Sequence, residues 1–260
     1  MTFGDHLEVL RWVFLRSFII ITIFAIAAFL FKDIIYNIII LGPKNDDFIT
    51  FRLLCRFGNY FKEGFLCISI PDIKLQALEV SEQFRSHLII SVISGLILAV
   101  PYIMWEIWRF IRPALNTKEK RGIRGFVFFT SFLFNTGIFF GYFIIVPLVM
   151  QFFLNYELSP DIVTEPKLSS YISNVTVLTL STGLVFQLPL VIYFLSRAGI
   201  ITPNVLRKRR KYAIIIIVIL SAIITPPDFF SQFLLAVPLI GLYEISISLS
   251  SRAYKKSLAG

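Results

Sequence analysis

A chain of 260 residues that is 57% hydrophobic, 16% charged and has a mean hydropathy of +0.79 is too apolar for a soluble globular domain. Its net charge of +9 would suit a nucleic-acid binder, but the placement of the cations, taken up below, gives that charge a membrane origin. Two histidines and two cysteines leave little for acid–base, nucleophilic or metal chemistry.

Taken in chain order, six apolar stretches approach the roughly 20 residues a helix needs to cross a bilayer: Trp12–Phe31, His87–Trp108, Gly125–Leu148, Tyr171–Arg197, Tyr212–Ile224 and Phe229–Leu249. Runs such as "FIIITIFAIAAFLF" do not alternate apolar with polar, so they read as helices and not as barrel strands. The first stretch contains Ala25-Ile26-Ala27, which resembles a signal cleavage site. Asp5 and Glu8 spoil the basic leader such a signal requires, and the apolar run continues to Phe31, so this span is expected to be retained.

Lys and Arg concentrate at Arg11 and Arg16, over Arg109–Arg124, over Arg197–Lys211 and in the tail Arg252–Lys256, which together hold 17 of the 25. With six spans all of these fall on one side, which the positive-inside rule makes the cytoplasm, so both termini are expected inside. No nucleic-acid partner is needed to account for the charge, and "RKRRKY" at Arg207–Tyr212 suits anionic lipid. The expected fold class is an all-α membrane protein, one six-span domain over residues 1–260, with the cytoplasmic membrane as its location.

The longest connection, about residues 41–86, falls outside and carries both cysteines, Cys55 and Cys67. An oxidising compartment would favour a disulfide between them, but two unpaired thiols in an amphipathic segment fit the sequence as well. Prolines recur within the spans, at Pro101, Pro147, Pro189 and Pro238, and each removes a backbone donor. The expected result is a kinked, open bundle with short fifth and sixth spans. In "TPPD", Thr225 is expected to cap the last helix, with Pro226 at its first position and Asp228 in its first turn.

Polar groups inside spans are the natural functional candidates. Gln187 would make an interhelical hydrogen bond or face a wet cavity, while Glu244 would sit at the interface or pair with another helix. Arg16 is expected to reach back to the near interface. On the cytoplasmic side Glu8 and Glu119 lie among many cations, where each could simply pair with Arg11 or Arg121 or could accept an incoming guanidinium. No catalytic motif, cofactor motif or metal-ligand spacing is present, so no enzyme activity, cofactor or metal is expected. A small-solute transporter would place converging polar side chains at mid-membrane, and here only Gln187 and weakly polar residues such as Asn135 and Thr179 qualify.

Four motifs in order resemble the TatC family, the large subunit of the twin-arginine protein translocase. "DHLEVLR" at Asp5–Arg11 is similar to the family's "HLEELR". "WRFIRPAL" followed by "KEKR" spans Trp108–Arg121 and is similar to its first cytoplasmic loop. "GLVFQLPL" at Gly183–Leu190 matches the fourth helix, and "TPPDFFSQFLLAVP" at Thr225–Pro238 is close to a signature. The resemblance covers most of the chain and is weakest in the external loop around Cys55 and Cys67, which looks like an insertion. It implies a receptor for paired-arginine signal peptides that exports folded proteins, assembled with single-span TatA- and TatB-type partners and with further copies of itself. Energy would come from the protonmotive force. It implies a signal-peptide patch of Glu8, Arg11, Phe110 and Glu119, with Glu119 receiving an arginine. Partner-helix contacts would fall at Thr225, Asp228 and Gln232. Two departures stand out: Val9 replaces the second glutamate of the first motif, and Gln187 replaces the fourth-helix glutamate.

Overall fold

The computed structural model describes residues 3–45, 47–60, 74–111, 125–156, 158–159, 161, 165–197, 199–226 and 228–258. Among the described residues ten α-helices follow one another: α1 Phe3–Leu30, α2 Ile49–Tyr60, α3 Glu82–Ile111, α4 Phe126–Phe140, α5 Val146–Asn155, α6 Leu168–Val185, α7 Leu188–Arg197, α8 Pro203–Lys208, α9 Arg210–Ile224 and α10 Phe229–Leu258. Among the described residues the only β pairing is an isolated parallel bridge between Gln76 and Lys167.

Five helical stretches among the described residues are long and apolar enough to cross a membrane: Leu7–Leu30, Glu82–Phe110, Val127–Asn155, Leu168–Arg197 and Phe229–Arg252. The third runs through α4, a π-helical turn at Gly141–Ile145 and α5; the fourth runs through α6 and α7. Helix α9 has 15 residues, about 22 Å of rise, which is well short of a hydrocarbon core of about 30 Å. Helix α9, expected as a short fifth span, is thus not among these five stretches, and the stretch expected as a short sixth span is not short. Helix α10 runs unbroken for 30 residues, because Pro238 is absorbed within it and the helix continues through the basic tail.

The prolines sort into two kinds. Pro101 and Pro238 lie inside continuous helices. Pro147 follows the π-helical turn and Pro189 follows the interruption at Phe186–Gln187, so each opens a new helix where its missing N–H costs nothing.

The larger buried apolar cluster includes Val146 and Val149 of α5, Tyr171 and Val175 of α6, and Leu235 and Leu239 of α10. Between apolar helices in lipid, small residues and close contact must supply what the hydrophobic effect supplies in water. Gly137 meets the Cα of Gly183, and Gly95 meets the backbone of Ala25, so α4 approaches α6 and α3 approaches α1 at backbone distance. Polar ties reinforce the assembly. Tyr171 donates to the carbonyl of Ile40 at 2.9 Å, Tyr243 donates to that of Leu206 at 2.9 Å, and the hydroxyls of Ser196 and Ser250 share a buried hydrogen bond of 2.6 Å.

The long connection is not a plain loop. It holds the amphipathic helix α2, whose Phe51 packs with Phe48 near Tyr142 and Phe143, and Thr50 donates to the Phe143 carbonyl. At the same end Glu82 accepts from the backbone N–H groups of Leu78 and Ser169 at 2.7 and 2.8 Å, tying the start of α3 to the start of α6.

Candidate functional site

Three residues of the expected signal-peptide patch lie at the end of the bundle where α1 begins and α3 ends. Glu8 and Arg11 are exposed on the first turns of α1, and Phe110 is half-buried in the last turn of α3. Glu119, expected as the principal acceptor, lies outside the described residues, within 112–124. Cations stack on tryptophans around this end. The guanidinium of Arg16 lies 5.9 Å from the Trp12 ring centroid and that of Arg109 lies 5.8 Å from Trp105.

Below the patch the structure places a carboxylate that sequence reasoning passed over. Glu106 sits in α3 with only 1% of its side chain exposed. Tyr102 donates to its Oε1 at 2.9 Å, and Arg16 Nη1 approaches the same oxygen at 3.7 Å. Its Oε2 is buried with no hydrogen-bond partner. Arg16 was expected to stretch toward the interface alone. It instead pairs across the α1–α3 contact, because an arginine beside a buried acid gains a partner that water cannot provide there. The signal was available: an acid inside the apolar run "YIMWEIWRF" is an intramembrane ionisable group and asks for a cation on a neighbouring helix.

Gln187 stands at the interruption between α6 and α7, where Gln187 N donates to the Leu184 carbonyl at 3.0 Å. Its side-chain Nε2 donates to the Thr130 carbonyl on α4 at 3.2 Å, and its Oε1 is buried without a hydrogen-bond partner. The structure thus places an interhelical hydrogen bond at this position. Glu244 accepts from Arg210 Nη2 at 2.8 Å, pairing α10 with the start of α9; both side chains are about half exposed.

At the "TPPD" turn the expected capping is corrected. Thr225 does not cap α10. Its N–H and its Oγ1 both donate to the Ser221 carbonyl, at 2.9 Å each, so it closes α9. Asp228 is the residue that starts α10: its Oδ1 accepts from Ser231 N at 2.7 Å, three residues on, and a negative charge there suits the positive end of the helix. Gln232 Nε2 reaches back to the Val218 carbonyl at 3.1 Å and braces the pair of helices. Asp228 Oδ2 and Ser231 Oγ are buried there without hydrogen-bond partners.

Near the opposite end of α1 a cavity of about 670 Å³ is lined by Lys32, Asp33, Tyr36, Lys44, Lys74 and His87, among others. Burial, and then the Glu82 carboxylate, push the Tyr36 phenol above its ordinary pKa. Cys55 is disulfide-bonded, and Cys67, the only other cysteine in the chain, lies outside the described residues. Among the described residues no group of three or more His, Cys, Asp or Glu side chains could hold a metal ion.

Comparison with known proteins adds what geometry alone does not. The family described as "Sec-independent protein translocase protein (TatC)" matches residues 5–238. The TatC proteins of Blattabacterium sp. subsp. Periplaneta americana and of Aquifex aeolicus are each 36% identical to the chain, and in both cases 98% of this chain aligns with 97% of the relative. Two solved structures of the twin-arginine translocase receptor TatC superpose with TM-scores of 0.71 and 0.76 at 34% identity, each with 99% of its own chain covered. The chain is therefore a multi-pass membrane protein of the TatC family, a family of protein translocase components and not of enzymes.

Proposed function

We propose that this chain is the receptor core of a twin-arginine translocase. It binds paired-arginine signal peptides at its cytoplasmic face and, with single-span subunits of the TatA and TatB type, exports folded proteins at the expense of the protonmotive force. One observation carries this reading: the match along 94–95% of the chain to solved twin-arginine translocase receptors. The chain sits in the cytoplasmic membrane with both termini inside. The distribution of Lys and Arg supports that orientation, and it makes α9 the fifth of six spans. A span this short thins the bilayer or leaves polar groups near its edge.

The signal peptide engages Glu8, Arg11, Phe110 and Glu119. Carboxylates are suited to guanidinium because they accept two parallel hydrogen bonds, which an ammonium cannot reproduce. A partner's single helix docks where α9 ends and α10 begins, at Thr225, Asp228 and Gln232. Unpartnered buried polar atoms on Asp228 and Ser231 support that placement, because a polar residue of an incoming helix would satisfy them. The direct test is export of a reporter carrying a paired-arginine signal in cells with and without this chain. Dependence on the chain supports the reading, whereas export that continues without it refutes the reading.

Cys55 pairs with Cys67 on the external face. The bridge closes the loop from Cys55, within α2, to Cys67 and stabilises the fold mainly by restricting the unfolded chain, by about 3 kcal/mol for a loop of this length. Both thiols should resist maleimide labelling on intact cells until a reductant is added. Labelling of both without reductant would show that the bridge is absent.

A further inference from the structure

We propose that Arg16 and Glu106 form a clamp that sets the rotation of α1 against α3 and so positions the signal-peptide patch above it. This inference rests on the receptor reading and names positioning residues for that same site.

The geometry begins with helical spacing. Glu8, Trp12 and Arg16 recur every four residues and share one face of α1, while Tyr102, Glu106 and Phe110 do the same on α3. The contact between Arg16 and Glu106 therefore fixes which faces of the two helices look toward each other. From that contact Glu8 lies eight residues toward the patch, about 12 Å, and Phe110 lies four residues toward it, about 6 Å. Turning α1 about its axis would swing Glu8 and Arg11 away from Phe110, even if the helices stayed in contact.

The pair also looks like a register device more than a source of raw stability. Its single approach is 3.7 Å, Arg16 remains 42% exposed, and one Glu106 oxygen has no hydrogen-bond partner. A charge pair of this kind tolerates little loss of either member, yet it specifies one arrangement among several that apolar packing alone would permit. Specification is needed here. The approach of Gly95 to Ala25 is a contact of small residues, which permits close sliding and rotation. A second polar contact across α1 and α3 joins His87 Nε2 to the Phe29 carbonyl at 3.1 Å. That contact sits at the far end of α1, so it cannot hold the end that bears the patch.

The test compares binding of a paired-arginine peptide and its paired-lysine counterpart to the purified full chain in detergent, with thermal unfolding measured in parallel. The variants are Glu106→Gln, Arg16→Gln and the swap of Arg16→Glu with Glu106→Arg. Glu106→Gln keeps an acceptor for Tyr102 and leaves only the half-exposed Arg16 without its partner, so it is expected to fold even where Arg16→Gln, which leaves a buried carboxylate alone, does not. Either single change should lower the preference for arginine about tenfold, because a bidentate contact is sensitive to displacements near 1 Å. The swap should restore most of that preference. Single variants that unfold at lower temperature but keep the wild-type preference would overturn the clamp as a positioning device, and so would a swap that fails to recover what the single variants lose. Absence of any arginine preference in the wild-type chain would instead remove the receptor reading on which the clamp depends.

Discussion

Replacing Glu119 with alanine is expected to abolish export of a paired-arginine reporter while the protein still accumulates in the membrane. The carboxylate stands among Arg112, Lys118, Lys120 and Arg121, so it is the local anion in a strongly cationic loop. Hydrogen bonds to a charged group contribute roughly 1.5–3 kcal/mol, which alone corresponds to about ten- to a hundredfold in affinity. The loss is larger than that, because without Glu119 the neighbouring cations face the signal arginines directly, and like charges set against each other across an interface cost several kcal/mol more. Val9 follows Glu8, so no second acid beside Glu8 compensates. Normal export by Glu119→Ala would remove its assigned role.

Gly95→Leu is expected to prevent stable accumulation altogether. A Cβ at this position would lie 2.6 Å from the backbone nitrogen of Ala25, 2.8 Å from its Cα and 2.9 Å from its Cβ. These are largely backbone atoms that cannot step aside in a new rotamer, so α1 must move off α3. Overpacking by even a few methylenes typically costs 1–3 kcal/mol, and here the displaced helix also loses the contact between Arg16 and Glu106. Gly241→Ala in α10 is the control. A Cβ there meets nothing within 4 Å, and alanine favours a helix interior over glycine by about 1 kcal/mol. Quantitation in membranes and thermal unfolding in detergent should separate the two variants sharply. Comparable stability of Gly95→Leu and wild type would mean that α1 does not pack on α3 as described.

Much of the architecture is legible in the sequence because bilayer thickness acts as a ruler: long apolar runs announce helices without any knowledge of their neighbours. Local chemistry is nearly as legible. The short α9 and a helix start near Asp228 follow from "IITPPD", although the cap falls on Asp228. Thr225 keeps its N–H in the last turn of α9 and so belongs to the helix before. The prolines illustrate the limit of local rules. Pro147 and Pro189 open new helices while Pro101 and Pro238 pass inside continuous ones, and composition around the ring does not distinguish the two cases.

Non-local facts were the ones hidden. Whether Arg16 snorkels or pairs depends on which helix faces it, and Glu106 reveals its burial only once α1 covers it. The approach of Gly95 to Ala25 is likewise a property of two helices and not of either sequence alone. Of the candidate site, the motifs name Glu8 and Arg11 near the start of α1 and Phe110 near the end of α3, but they do not name Glu106. The hydrogen bond of Gln187 to the Thr130 carbonyl and the ion pair of Glu244 with Arg210 required the assembled fold.

The central claim is recognition of paired arginines, and the most direct test is equilibrium binding of the purified chain to a signal peptide with paired arginines against the same peptide with paired lysines. Both peptides carry equal charge, so simple attraction to Glu8 and Glu119 predicts equal binding, whereas a bidentate carboxylate site predicts discrimination. The account predicts at least about a tenfold preference for arginine, the equivalent of losing one charge-assisted hydrogen bond. Equal affinity for the two peptides would contradict it.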